Sequence, residues 1–171
     1  MGDFIQFIEN SAVAVWVRES PSIFAYTSIL SLHAMGLAVV VGLGSVVSLR
    51  LLGFFKDLPV APLLRLFPVM WIGFTVNAIS GLLLLAANMS NMLANVMFII
   101  KIVLIAVALV NMELLRHRLT AYAQAGEAPS EQISAIPQIR ALAASAIVLW
   151  VAVIIAGRLT AYPNFVAALF S

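Results

Sequence analysis

Residues 20–49 read SPSIFAYTSILSLHAMGLAVVVGLGSVVSL and contain no Asp, Glu, Lys or Arg. A helix needs roughly 20 apolar residues to cross a bilayer. The stretch therefore predicts a transmembrane helix over residues 22–49. His33 lies near the middle of this helix. Burying an ionisable side chain at that depth of the membrane costs free energy, so His33 is a candidate functional residue.

The composition of the whole chain agrees with a membrane protein. It is 64% hydrophobic and 9% charged, whereas soluble domains have roughly 25% charged residues. A chain of 171 residues cannot bury so much apolar surface in its own core, so the lipid bilayer is the predicted partner. The nine basic residues are scattered along the chain, which argues against nucleic acid as a partner.

Three further apolar segments predict transmembrane helices, over residues 67–87, 96–115 and 141–159. Residues 3–19 interleave apolar and polar side chains, which is typical of a helix lying in the membrane interface, with Trp16 as its anchor. The predicted fold is all-α: a polytopic four-transmembrane-helix bundle with an N-terminal interfacial helix. Residues 1–171 form a single membrane domain in this interpretation.

The basic residues predict the orientation of the bundle. Six of the nine basic residues lie in two connections, residues 50–66 and residues 116–140, whereas residues 88–95 contain none. By the positive-inside rule both basic connections face the cytoplasm, and both termini lie on the outer side. The predicted location is the bacterial inner membrane. The six residues are Arg50, Lys56, Arg65, Arg116, Arg118 and Arg140.

Polar side chains concentrate in the outer half of the predicted bundle. At a rise of 1.5 Å per residue, His33 lies about 4 Å and Lys101 about 7 Å to the outer side of their helix midpoints. Asn77 falls near the middle of the second helix, with Ser80 one turn further out, and Arg158 lies near the outer end of the fourth. These five residues predict one outward-facing polar pocket.

His33 is the candidate cofactor ligand, for haem b or for copper. His117 lies about 20 Å from it along the membrane normal, so one chain would not place both on one haem, and a bis-histidine haem would need His33 from two chains. Met35 is displaced by about 200° around the helix from His33, which does not favour a shared copper site. In the alternative interpretation His33 only packs and forms hydrogen bonds within the bundle, for example to Tyr26.

Small residues recur at helical spacing on three of the predicted helices. Such stripes allow membrane helices to approach each other closely. Those on the first and fourth helices offer packing surface beyond the needs of a single bundle. The stripes comprise Ala34, Ala38 and Gly42 on the first helix, Gly73, Asn77, Ser80, Gly81 and Asn88 on the second, and Ala144, Ala152 and Ala156 on the fourth.

No catalytic motif is present: the sequence lacks a phosphate-binding glycine loop, His-Glu-x-x-His and Gly-x-Ser-x-Gly. No catalytic residue is therefore predicted. Two functions are left open. The first is a non-catalytic accessory or assembly subunit of a larger membrane complex, with other membrane subunits or further copies of the chain as partners. The alternative is a small redox protein that binds haem b or copper through His33.

Several motifs resemble a group of small bacterial four-helix membrane proteins of unknown function. That group is similar in layout to copper-resistance D domains and small membrane cytochromes b. The resemblance implies a bacterial inner-membrane four-helix protein and leaves its activity open. It extends over nearly the whole chain, through Leu32–Leu37, Ser48–Gly53, Pro68–Gly73, Ser80–Leu83, Asn95–Lys101 and Gly157–Tyr162.

Overall fold

Four long helices dominate the computed structural model, which describes residues 2–125 and 130–162. The helices α3 (Tyr26–Leu51), α4 (Leu66–Ala87), α6 (Val96–Ala125) and α8 (Pro137–Leu159) are long and apolar enough to span a membrane. With no strand in either described range, the all-α four-helix prediction is confirmed. Predictions for residues 126–129 and for both chain ends lie outside these ranges. The elements are α1 Gly2–Glu9, α2 Ala12–Glu19, α3 Tyr26–Leu51, a 3-10 turn Ala61–Arg65, α4 Leu66–Ala87, α5 Met89–Leu93, α6 Val96–Ala125, α7 Ser130–Ala135 and α8 Pro137–Leu159.

The bundle is organised around α3 and α8. Helix α3 packs against both α4 and α8, and α8 packs against α6. The largest apolar cluster lies towards the 3-10 turn and α7 and includes Leu51, Phe67, Leu119 and Ile139. A smaller cluster around Trp150 fills the middle of the bundle. The end of the bundle near α7 thus holds the largest apolar cluster.

Two glycines bring α3 and α4 unusually close together. A Cβ atom built at Gly36 would lie 2.7 Å from the backbone N of Asn77 and 2.7 Å from the backbone O of Gly73. A Cβ built at Gly73 would in turn lie 2.8 Å from a methyl group of Val39. Because backbone atoms occupy this space, the contact requires glycine on both helices.

Three helix boundaries differ from the sequence prediction by four residues or more, and one of them is the start of the fourth helix at Pro137 instead of Ala141. The first transmembrane helix begins at Tyr26 instead of Ser22, because the Ser20 and Ser22 hydroxyls accept hydrogen bonds from backbone N–H groups two residues on. Such local bonds compete with the helix. The third helix continues to Ala125. Its 30 residues span about 45 Å, so it is longer than a hydrocarbon core of roughly 30 Å.

The N-terminal segment forms two short helices instead of the single helix predicted over residues 3–19. Ser11 separates them because its hydroxyl accepts a hydrogen bond from the backbone N–H of Ala14 and caps α2. Helix α2 packs against α4, and Val17 is fully buried in a cluster with Ile29 and Ala87. Trp16 is about half exposed.

Glu9 ties this N-terminal segment to the connection between α4 and α6. Its carboxylate accepts hydrogen bonds from the backbone N–H of Ser90 at 2.7 Å and from the Ser90 hydroxyl at 2.8 Å. These bonds, with a smaller contribution from the charge of Arg18, hold the pKa of Glu9 below its ordinary value. The segment is therefore anchored to the bundle at more than one point.

Helix α3 ends in a glycine cap that turns the chain back over Arg50. Gly53 has φ of +103°, its N–H donates to the carbonyl of Arg50, and the N–H of Phe54 donates to the carbonyl of Leu49. This pattern is the Schellman motif. The positive-inside rule predicts that Arg50 lies in a cytoplasmic connection. In the structure Arg50 is instead a residue of α3 and is 1% exposed.

Candidate functional site

His33 and Asn77 form a reciprocal pair of hydrogen bonds between α3 and α4. The Nδ1 atom of His33 lies 2.9 Å from the backbone carbonyl oxygen of Asn77. The side-chain amide of Asn77 donates to the backbone carbonyl of His33 at 2.7 Å. A carbonyl oxygen can only accept, so Nδ1 of His33 carries the hydrogen of this bond. In the neutral ring, Nε2 then holds the lone pair.

Ser80 and Gly81 are the other two residues of α4 that contact the His33 imidazole. The Ser80 hydroxyl donates to the backbone carbonyl of Val76 at 2.6 Å, and its oxygen lies 3.4 Å from His33 Nδ1. A Cβ built at Gly81 would lie 2.9 Å from His33 Cε1. The imidazole therefore lies directly over a glycine, and the stripe predicted on the second helix, apart from exposed Asn88, faces α3.

Lys101 meets His33 at a small cavity among the four spanning helices. The cavity has a volume of about 10 Å³, and its lining includes His33, Asn77, Lys101 and Trp150. This is about the smallest volume that can hold one water molecule. The Lys101 side chain lies against α8, where a Cβ built at Gly157 would be 3.5 Å from Lys101 Cε. No hydrogen bond joins Lys101 to another described residue.

The structure brings together four of the five residues of the predicted pocket. His33, Asn77 and Ser80 are linked by hydrogen bonds, and Lys101 shares their cavity. Arg158 does not join them. Arg158 is exposed and donates a hydrogen bond to the Tyr162 hydroxyl at 3.0 Å. Its guanidinium carbon lies 5.3 Å from the centre of the Tyr162 ring.

The residues considered as co-ligands of His33 lie elsewhere. His117 is an exposed residue of α6, and Met35 is 64% exposed on the outward side of α3. Among the residues with described positions, no three His, Cys, Asp or Glu side chains come together in a group that could hold a metal ion. A haem does not fit into a cavity of about 10 Å³ in this packing.

Asn111 is a buried polar residue that the sequence analysis missed. Its amide donates to the Ser145 hydroxyl at 2.7 Å and joins α6 to α8. Within the two described ranges, its Oδ1 atom is buried without a hydrogen-bond partner. A lone Asn in an apolar helix gave no indication of its partner, since Ser145 is 34 residues away in the sequence.

The predicted small-residue stripes differ in exposure. On α8, Ala156 is buried and Ala152 is half-buried, so these two pack within the bundle, and only Ala144 of the predicted stripe is exposed. Ala34, Ala38 and Gly42 on α3 are all exposed. The face of α3 that packs within the bundle instead contains Gly36, Val40 and Gly44.

Comparison of the chain with protein-family models, with curated proteins and with solved structures gives no match.

Proposed function

We propose that the protein is a non-catalytic accessory or assembly subunit of a larger membrane complex, in which another subunit docks on the outward face of α3. The observation that carries this proposal is the small and polar character of that face. We call it the α3 stripe and define it as Thr27, Ser31, Ala34, Ala38 and Gly42, all of them exposed.

The α3 stripe has the geometry of a helix-docking groove. Its five residues fall within about 80° of the helix circumference at 100° per residue. Larger exposed side chains, Leu30 and Met35, flank it on either side. A Cβ built at Gly42 would meet no atom within 4 Å. Small residues between larger ridges allow a second helix to approach the backbone of α3 closely.

The outward face of α6 provides the contrast. It exposes bulky aliphatic side chains along much of its length, as expected of a helix that faces lipid tails. Lipid contact alone therefore does not explain the small side chains of the α3 stripe. The exposed residues of α6 include Val96, Ile99, Ile102, Val103, Val107, Val110 and Leu114.

Substitution of Ala38 by Phe tests the proposal. We expect Ala38→Phe to leave the bundle folded but to reduce the assembled fraction about tenfold, because an overpacked helix contact costs about 1–3 kcal/mol. The assembled fraction is measured by native electrophoresis of mildly solubilised native membranes. Val103→Phe is the control, since it enlarges an exposed side chain on α6.

Three results would contradict the proposal. The Ala38→Phe and Val103→Phe proteins could show the same assembled fraction. The wild-type protein could migrate as a monomer. The assembly could contain only copies of this chain, which differently tagged copies expressed together would reveal.

A second candidate function is a small redox protein with haem b or copper on His33. The observation in its favour is the bond from Nδ1 to the Asn77 carbonyl, because histidines that bind metals commonly donate their other ring hydrogen to a carbonyl group. Against it stand the cavity of about 10 Å³ and the amine of Lys101 beside the same cavity. We therefore place this candidate second.

The metal content of the purified protein separates the two candidates. The accessory-subunit proposal predicts neither stoichiometric iron or copper nor a Soret band in the wild-type protein. It also predicts that His33→Gln remains folded and loses about 1 kcal/mol of stability with the Asn77 bond. Stoichiometric metal in the wild type and none in His33→Gln would establish the redox function instead.

We infer that the protein lies in the bacterial inner membrane, with both termini on the outer side. The support is the charge distribution, since the connection 88–95 has no basic residue. A topology reporter inserted at Asn91 should report the outer side, and one inserted at Gly126 the cytoplasm. The reverse pattern would overturn the orientation.

A further inference from the structure

A second and much larger cavity lies at the other end of the bundle. Its volume is about 470 Å³, within the range of small-molecule sites. Three basic side chains contribute to its lining, Arg50 from α3, Lys56 from the following connection and Arg140 from α8. Ser134 of α7 lines it as well, and no acidic side chain among the lining residues balances these charges.

Arg50 is the fixed element of this cavity. Its guanidinium is buried and donates hydrogen bonds to the backbone carbonyl of Lys56 at 3.1 Å, to the Ser134 hydroxyl at 3.0 Å and to the backbone carbonyl of Leu58. All three acceptors are uncharged. Of the five N–H groups of an arginine, three are engaged in this way. Within the described part of the chain, Arg50 forms no ion pair.

Lys56 and Arg140 supply the two exposed charges of the cavity. Both side chains are exposed, and neither has an ion-pair partner among residues 2–125 and 130–162. A buried cation without a counter-charge is costly, and an anion in the cavity would offset that cost. Guanidinium groups match the oxygen atoms of phosphate in geometry as well as in charge.

We propose that this cavity binds a phosphate group held by Arg50, Lys56 and Arg140. Two sources share this chemistry, the headgroup of an anionic phospholipid and a soluble phosphate compound. Basic pockets between membrane helices are known to take anionic lipid headgroups. The positive-inside prediction places all three residues next to the cytoplasmic leaflet, where either source is accessible.

The test measures the thermal unfolding midpoint of the full-length protein in a neutral detergent. Short-chain phosphatidylglycerol and inorganic phosphate are added in separate titrations, with phosphatidylcholine and sodium chloride at matched ionic strength as blanks. A ligand that binds only the folded state raises the midpoint, and the rise grows with the logarithm of the ligand concentration above the dissociation constant. We expect at least one of the two anionic probes to raise it and neither blank to do so.

Two double variants test whether the anionic probes bind in this cavity. The double variant Lys56→Gln/Arg140→Gln keeps the buried Arg50 and should weaken binding of the probe at least tenfold. Its control is Arg65→Gln/Arg118→Gln, which removes the same charge from exposed residues outside the cavity lining. This control should bind as the wild type does.

The outcomes identify the source or overturn the proposal. A response to phosphatidylglycerol alone indicates a lipid headgroup, whereas a response to inorganic phosphate indicates a soluble ligand. A wild-type midpoint that neither probe raises would contradict the proposal. An equal loss of binding in the two double variants would contradict it too, because the effect would then come from net charge and not from the cavity.

Discussion

The Gly36→Ala substitution should lower the free energy of unfolding by about 2 kcal/mol, the middle of the range for overpacked cores. The added methyl group would lie 2.7 Å from two backbone atoms of α4, the N of Asn77 and the O of Gly73. Backbone atoms cannot rotate away as a side chain can. Helices α3 and α4 would have to separate, which would also stretch the hydrogen bonds between His33 and Asn77.

Gly42→Ala is the matched control, because it makes the same change in the same helix. A Cβ at Gly42 meets no atom within 4 Å, so only the helix propensity changes, in favour of Ala by up to about 1 kcal/mol. Both variants are unfolded in mixed micelles with increasing denaturing detergent. If Gly36→Ala were as stable as Gly42→Ala, the close contact between α3 and α4 would be wrong.

Arg50→Met should have the larger effect, a loss of about 3 kcal/mol. Each of the three lost hydrogen bonds from a charged donor contributes about 1.5–3 kcal/mol, and removing a buried charge that has no counter-charge offsets part of that sum. The substitution removes the donor from the backbone carbonyls of Lys56 and Leu58 and from the Ser134 hydroxyl. The connection after α3 and helix α7 would both lose their attachment to the end of α3. Arg50→Lys should recover only part of this, since an ammonium cannot reproduce the guanidinium fork.

Arg65→Met is the control for this prediction. Arg65 is exposed in the 3-10 turn before α4, and its loss should change stability by no more than about 0.5 kcal/mol. Both variants are compared by thermal unfolding in the same detergent. Equal midpoints for Arg50→Met and Arg65→Met would show that Arg50 does not organise this end of the bundle.

The membrane-spanning helices could be predicted from the sequence because hydropathy and length alone specify them. The depth of His33 and Lys101 followed from the helical rise, and the two residues do share a cavity. Their side-chain partners could not be predicted, since depth does not determine which face of a helix meets which neighbour. The structure pairs His33 with Asn77, which is 44 residues away, and not with Tyr26, the partner expected from helical spacing.

Arg50 and Ala156 show why the burial of individual side chains could not be predicted from the sequence. An arginine at a helix end satisfies the positive-inside rule whether its side chain is exposed or buried. The burial of Arg50 depends on the glycine cap at Gly53 and on Ser134, which is 84 residues away. Likewise, small residues such as Ala156 suit both a buried contact and an exposed groove, so the pattern alone cannot distinguish them.

We propose that this chain works as part of a larger membrane assembly, and the mass of the wild-type particle is the most direct test of that role. The chain is extracted from its native membrane with the surrounding lipid retained, and the intact particle is analysed by native mass spectrometry. We expect the 18.4 kDa chain together with at least one different polypeptide in fixed stoichiometry. A particle that contains a single copy of this chain and only lipid would contradict it.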